Sequence, residues 1–531
     1  MMSITGENFI GNIRSGKGGE SFQAFNPAGN ILISDKFIYA TDEEFEQALT
    51  LAQEAFGRYK NTSTIKRAEF LDAIAEEIIA LEETLIEKAV TESGLPIGRI
   101  TGERGRTCGQ LKMFAQLLRD GWYVDARIDT AQPERAPLPK SDIRRMLIPI
   151  GPVAVYGASN FPLAFSTAGG DTASALAAGC PVVVKTHPSH PGTSELISYA
   201  IIKAAKRTGM PDGVFSALNL NNDQSVKLVQ HPVIKAVGFT GSRKVGMTLF
   251  NAAATRPEPI PVYAEMSAIN PVILMEEALK TRGEAIAKGL AGSVTMGSGQ
   301  FCTNPGLILL IESEAGTNFL NYFSRHFGVI EPATMLNKNI CQSYSKGIEL
   351  TKTLRGVNVL AEGEKLANNN KNEARPISFT VSGDDFIANK QLNEEVFGPA
   401  TLFVLVKNTS QLQHVLNQLE GQLTATVQAE PGDRNNLVSV IDIITQKAGR
   451  VIYNGFPTGV EVCHSMQHGG PFPSTTDGRS TSVGTAAIYR FLRPVSYQDI
   501  PDQLLPEALQ NSNPLSILRL IDGSWKTDLI P

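Results

Sequence analysis

Long apolar runs are what this sequence most clearly lacks. No stretch approaches the roughly 18 apolar residues needed to cross a bilayer, and the opening MMSITGENFIGNIRSGKGGE has no apolar core of a secretory signal. A cytoplasmic location is the expectation that follows. Cysteine is scarce. Cys108, Cys180, Cys302, Cys341 and Cys463 are widely spaced and none forms a CxxC pair, which fits free thiols in a reducing compartment and offers no zinc-ligand spacing. No metal is expected. There is no long basic run, and the net charge is only -5, which excludes nucleic acid and anionic membrane as main partners. A GxGxxG fingerprint is also missing, so any dinucleotide must be held another way. No repeat of 20–50 residues and no low-complexity tract is present.

What is present is ordinary globular material, 42% hydrophobic and 19% charged. At 531 residues the chain is too long for one core, and about two or three domains are expected. The first 130 residues read mainly as helices. Thr41-Asp-Glu-Glu44 is a capping box, followed by Phe45, Ala48, Leu49, Ala52 and Phe56 at helical spacing. Further helices are expected over Thr64–Ala80 and through Leu111–Leu118, before a polar, proline-bearing stretch from Gln132 to Lys140. From Met146 strands and helices alternate. The strands are Val153–Tyr156, Val182–Val184, Val214–Leu218 and Ile234–Phe239, with helices between them and another opening at Gly241-Ser242. That rhythm predicts a parallel, Rossmann-like α/β sheet. A second strand–helix series runs from Asn270 to about Asn454 and predicts a second α/β domain.

Four segments carry chemistry. Ser298-Gly-Gln-Phe-Cys302-Thr-Asn-Pro-Gly306 sets a cysteine among small residues, where a ligand can approach closely; alone it reads equally well as a glycine-softened helix end. Glu265 closes an apolar strand, where burial is expected to raise its pKa toward that of a useful base; a solvated strand-end Glu is the plainer alternative. Asn160, in Ala158-Ser-Asn-Phe-Pro162, is a turn residue whose amide can donate to an oxyanion. Lys185 ends a strand, and Phe239-Thr-Gly-Ser-Arg-Lys-Val-Gly246 opens a helix whose free N–H groups suit a phosphate.

In order and spacing, SNFP, VVVK, FTGSRKVG, AEMSAINP, GQFCTNPG and EEVFGP resemble the aldehyde dehydrogenase superfamily over nearly the whole chain. The resemblance implies a fold with a Rossmann-like cofactor domain (1–131 and 152–265), an α/β catalytic domain (266–465) and a small oligomerisation element (132–151 and 466–531). It implies a thioester on Cys302, an oxyanion held by Asn160 and the Cys302 N–H, and hydrolysis with Glu265 as base. It further assigns Lys185, Phe239, Gly241, Ser242, Glu395 and Phe397 to cofactor binding, and a homodimer or homotetramer to the assembled protein. One departure lies beside the base, where Ser267-Ala268 replaces a glycine pair and bears on the mobility of Glu265.

NAD-preferring relatives place a Glu three residues after the Lys; Pro188 stands there in this chain. Without like-charge repulsion of a 2′-phosphate, NADP is favoured over NAD, with His187 and Ser189 as further donors. The stretch GPFPSTTDGRSTSVGT with the downstream RPVSYQD is similar to the branch that oxidises 2-oxoglutarate semialdehyde, which is also similar to an NADP-dependent fatty aldehyde dehydrogenase. A histidine near the active site of the latter brings in His464, for which a packing role is equally open. Arg104, Arg106 and Arg479 are unranked candidates for a substrate carboxylate. A papain-like hydrolase using Cys302 and His464, and a non-catalytic protein on the same fold, are the readings from other classes. The first leaves three motifs unexplained, and the intact set of Cys302, Glu265, Asn160 and Lys185 opposes the second.

Overall fold

A computed structural model describes residues 4–368 and 370–530. Its first half is built on a seven-stranded sheet. Five parallel strands lie in the spatial order Val262–Glu265, Ala236–Thr240, Val153–Tyr156, Val182–Lys185 and Phe215–Leu218. An antiparallel hairpin of Asn8–Ile10 and Ile13–Ser15 closes the Phe215 edge. The Val-rich runs VAVY and VVVK are buried along almost their whole length, as strands covered by helices on both faces must be. Register aligns their carboxyl ends: Tyr156 pairs with Lys185, Phe239 with Tyr156, and Thr240 with Glu265. The strand order reverses between the Val153 and Ala236 strands, so a ligand crevice is expected outside their carboxyl ends.

Helices α1 (Asp42–Tyr59), α2 (Thr64–Ile79), α3 (Glu82–Ser93) and α4 (Ile97–Asp120) precede the parallel strands. α1 begins at the expected capping box, with Thr41 and Glu44 each bonding the other's backbone N–H. α5 (Gly170–Ala178), α6 (Pro191–Arg207), α7 (Asn222–Gln230) and α8 (Arg243–Ala254) connect the strands. The buried Glu92 of α3 accepts the backbone N–H groups of Gly192 and Thr193 at the start of α6, satisfying donors that a helix start leaves open. Two features of the first 130 residues were not visible in helical periodicity. α3 is a separate helix, and residues 8–38 form short strands, including the pair Ser21–Asn26 and Ile31–Ile38, whose alternation is only a few residues long.

The second half carries another seven-stranded sheet, in the order Asn358–Glu362, Ile377–Ser382, Ala400–Val406, Leu307–Ile311, Val272–Leu274, Gln422–Gln428 and Ala448–Tyr453. All its pairs are parallel except the Asn358 edge. A five-stranded sheet combines Arg127–Asp129 and Ile143–Pro149 with Leu492–Gln498, Arg519–Ile521 and Ser524–Lys526. Residues 474–476 do not join it. They lie along the Val262–Glu265 strand, where Met266 N–H donates to the Ser474 carbonyl and Thr476 N–H to that of Ala264. Among the described residues no helix is long and apolar enough to cross a membrane.

Candidate active site

Segments from the two large sheets meet around Glu265 and Cys302. The first sheet presents the carboxyl ends of its strands and the second presents the amino ends of the Val272, Leu307, Ala400 and Gln422 strands. Glu265 closes the Val262 strand and is buried. Cys302 lies on the loop leading into the Leu307 strand. That loop has Gly297, Ser298 and Gly299 all at positive φ. A Cβ on Gly299 would fall 2.1 Å from the Gly398 carbonyl oxygen, so only glycine lets the cysteine loop press against the segment carrying Glu395 and Phe397.

Asn270, itself at φ 46°, props this loop from beneath. Its Nδ2 donates to the carbonyls of Cys302 (2.8 Å) and Asn304 (3.0 Å), and its Oδ1 accepts from Thr424 N–H (3.2 Å). Sequence reasoning had no role for this residue, although it stands in the quoted AEMSAINP motif.

The third member of the centre is His468, not His464. His468 is 1% exposed in its side chain, and its Nε2 lies 3.4 Å from Cys302 Sγ and 3.0 Å from Glu265 Oε1. The ligating atoms of the three side chains all lie within 4.8 Å of one another. Ser482 Oγ donates to Glu265 Oε2 at 2.6 Å, and Thr481 Oγ1 accepts the His468 backbone N–H at 2.8 Å. His464 instead sits with its Nδ1 3.2 Å from Thr485 Oγ1, a packing contact four residues away in the same loop. Sulfur and carboxylate converge on one ring nitrogen. A cysteine hydrolase relay needs its orienting acid on the opposite nitrogen, so this arrangement does not serve that reading.

Electrostatics correct a second expectation. Burial is the largest influence on Glu265 and pushes its pKa up, but His468, Ser482 and the Cys302 thiol together outweigh it and hold the carboxyl below its ordinary value. The cost falls on the thiol. Burial and the adjacent Glu265 charge raise Cys302 well above the ordinary cysteine range, while the Arg106 charge opposes them. These directions favour a protonated thiol on Cys302 beside an ionised Glu265.

Asn160 is buried, and its Nδ2 donates one N–H to the Gln300 carbonyl at 3.0 Å, which places its amide against the cysteine loop. Behind it Arg99 donates to the Asn160 carbonyl (3.3 Å) and stacks over the rings of Phe161 and Phe301.

The residues expected to bind a cofactor on the first sheet stand at or just beyond the carboxyl ends of its strands. Lys185 ends its strand, with burial lowering its pKa to about 8. Ser242 caps α8 through Val245 N–H, beside Gly241, whose N–H donates to the Glu265 carbonyl. Phe239 is 5% exposed and packs against Tyr156, supporting Gly241 from below: a Cβ on Gly241 would meet its ring at 2.7 Å. His187 accepts Ser189 N–H on Nδ1 (3.1 Å) and stacks on His190. Burial drives its pKa well below the usual histidine value, leaving a neutral ring with Nε2–H as donor. Ser189 Oγ accepts from Asn337 Nδ2 at 3.1 Å, so its own proton remains available. On the opposite edge Glu395 and Phe397 line a cavity with Ala268, Gly299 and Asn304. Burial raises Glu395 to about 7, opposed by a hydrogen bond from Ser267. Ser267 Oγ also accepts the Arg243 N–H at 3.4 Å, so the serine that replaces a glycine ties the start of α8 to Glu395. An α8 start beside a glycine, a strand-end lysine and the half-buried carboxylate of Glu395 form a polar set that fits a nicotinamide dinucleotide.

Comparison with known proteins agrees with this geometry. The chain is 49% identical over 524 residues, covering 98% of it and 99% of the relative, to alpha-ketoglutaric semialdehyde dehydrogenase 2 of Azospirillum brasilense. It is 47% identical, covering 98% and 99%, to the alpha-ketoglutaric semialdehyde dehydrogenase of Acinetobacter baylyi. A solved structure of 1-pyrroline-5-carboxylate dehydrogenase from Thermus with bound NAD shares the fold, with a TM-score of 0.77 at 22% identity over 93% of this chain and 92% of that one. Residues 13–493 match the model of the aldehyde dehydrogenase family, and the chain belongs to that family.

Proposed function

We propose that the protein oxidises 2-oxoglutarate semialdehyde to 2-oxoglutarate with NADP as hydride acceptor. The observation that carries the chemistry is the convergence of Cys302, Glu265 and His468. The substrate rests on two full-length relatives that bear this activity in their names.

The cycle follows from the proton positions. Glu265, ionised and within 4.8 Å of the thiol, takes its proton as Sγ attacks the aldehyde carbon. His468 Nε2 faces both the sulfur and the carboxylate and steadies the charge that passes between them. The new oxyanion accepts hydrogen bonds from the second N–H of Asn160 Nδ2 and from Cys302 N–H. A bound dinucleotide supplies the hydride acceptor that leaves a thioester on Cys302; Lys185, Ser242 and Glu395 would hold it. Glu265 passes the thiol's proton to solvent. The freed carboxylate then removes a proton from water, which adds to the thioester carbonyl and expels the Cys302 thiolate with release of the acid. The thiolate regains a proton from Glu265. Pro188 is exposed after Lys185, so no carboxylate repels a 2′-phosphate there, and His187 Nε2–H and the Ser189 hydroxyl supply neutral donors.

Ranking kcat/KM for 2-oxoglutarate semialdehyde, pentanal and decanal with each cofactor tests both parts. The semialdehyde with NADP is expected to rank first; decanal ranking first would replace the substrate by a fatty aldehyde. Pro188→Glu is expected to weaken NADP far more than NAD, and equal losses would overturn the cofactor assignment.

A further inference from the structure

α4 presents one polar face to the catalytic loops, with Arg99, Glu103 and Arg106 spaced four and three residues apart. Two of the three are spent on structure. Glu103 Oε1 accepts the backbone N–H groups of Leu163 (2.8 Å) and Ala164 (3.0 Å), and its Oε2 lies 3.6 Å from Arg99 Nε. Arg99 is held between two phenylalanine rings and the Asn160 carbonyl. Arg106 is different. Its Nε and Nη2 are buried and have no hydrogen-bond partner among the described residues.

Its position follows from ring to ring. The Arg106 guanidinium lies 5.3 Å from the centroid of Phe165, the Phe165 ring lies 6.0 Å from that of His468, and His468 Nε2 is 3.4 Å from Cys302 Sγ. A guanidinium removed from water with its donors unfilled is costly, and a fork of parallel N–H groups matches a carboxylate. The other two arginines considered from sequence do not share this setting. Arg479 is exposed and bonded to Asp477, and Arg104 donates to the Glu82 carbonyl.

We propose that Arg106 is the anchor for the carboxylate of the substrate, gripping the end of the chain opposite the aldehyde while Cys302 attacks; this rests on the semialdehyde reading above. The aromatic wall of Phe161, Phe165 and Phe301 would line the short carbon chain between the two ends. Selectivity for a charged aldehyde then resides in one side chain on α4, outside the segments that carry the reacting groups.

The test compares 2-oxoglutarate semialdehyde with pentanal, an aldehyde of equal chain length without the charge, in the wild type, Arg106→Met and Arg106→Gln. Each variant is expected to lose about 10- to 100-fold in kcat/KM for the semialdehyde, chiefly through KM. Pentanal should change by no more than about threefold. Equal losses for both aldehydes would show that Arg106 acts through the thiol or the scaffold and would overturn the anchor. Either variant suffices if the other fails to fold, because Gln removes the charge while keeping a polar side chain in place. A wild type that prefers pentanal would defeat the substrate assignment itself. A wild type that prefers the semialdehyde, with unchanged preference in both variants, would leave the substrate standing and remove Arg106 from it.

Discussion

The two edges that form the active site are built in opposite ways. On the first sheet, Lys185 and Glu265 stand at the carboxyl ends of strands whose register fixes them; their placement is inherited from regular hydrogen bonding. On the second sheet Cys302 sits before a strand, on a loop with three consecutive residues at positive φ, and is held by side-chain bonds from Asn270. A strand-end group needs only its strand, whereas an amino-edge group needs a scaffold of its own. Disturbance should therefore spread differently on the two sides.

The largest expected effect lies on the second edge. Cys302→Ala should reduce turnover below about one part in 10³ of wild type while leaving the dissociation constant for the dinucleotide, measured by fluorescence titration, nearly unchanged. On the first edge, Glu265→Gln removes the base used for both the thiol and the water and should slow turnover by about 10²–10³, with the first turnover of cofactor reduction in rapid mixing slowed as well. A normal steady-state rate would assign the water-activating role elsewhere. His468→Gln touches both edges at once and should cost about 10- to 100-fold. Because His468 helps hold Glu265 low, its loss raises the Glu265 pKa. Glu265 acts only when ionised, so the acidic limb of the kcat/KM profile should move to higher pH. A limb that stays in place would mean that His468 does not govern the base.

The scaffold itself is probed last. Asn270→Ala strips the bonds to two loop carbonyls and should cost about 1–3 kcal/mol in urea unfolding, with a fall in kcat. Ser242→Ala removes only the cap of a regular helix and should cost about 1 kcal/mol, raising KM for the dinucleotide more than it lowers kcat. If both cost the same and affect kcat alike, the contrast between the edges is not real.

Legibility in the sequence divided along the same line. The parallel strands, α1 and the residues at strand ends were readable, because apolar runs of fixed length and capping residues are local signals. Cys302 and Glu265 were readable from motif order. His468 was not. It lies 166 residues from the sulfur it faces, in a loop without periodicity, and His464 stands four residues away with the same chemistry. A usable signal was present: His468 is followed by Gly469 and Gly470, where a Cβ would meet the Ser480 and Gln422 carbonyl oxygens at 2.6 and 2.1 Å. Paired glycines forced by close packing mark where that loop is pressed inward. The sign of the Glu265 shift was also out of reach, since it depends on three partners that only the fold assembles.

The raised pKa of the Cys302 thiol has a consequence for the making of the protein. In an unfolded chain this cysteine would titrate near the ordinary value of about 8.5, with neither the burial nor the neighbouring charge that lift it in the finished molecule. Until the fold buries the sulfur and brings Glu265 beside it, the thiol lacks both influences that raise its pKa. Folding thus lowers the thiolate fraction of Cys302 at neutral pH.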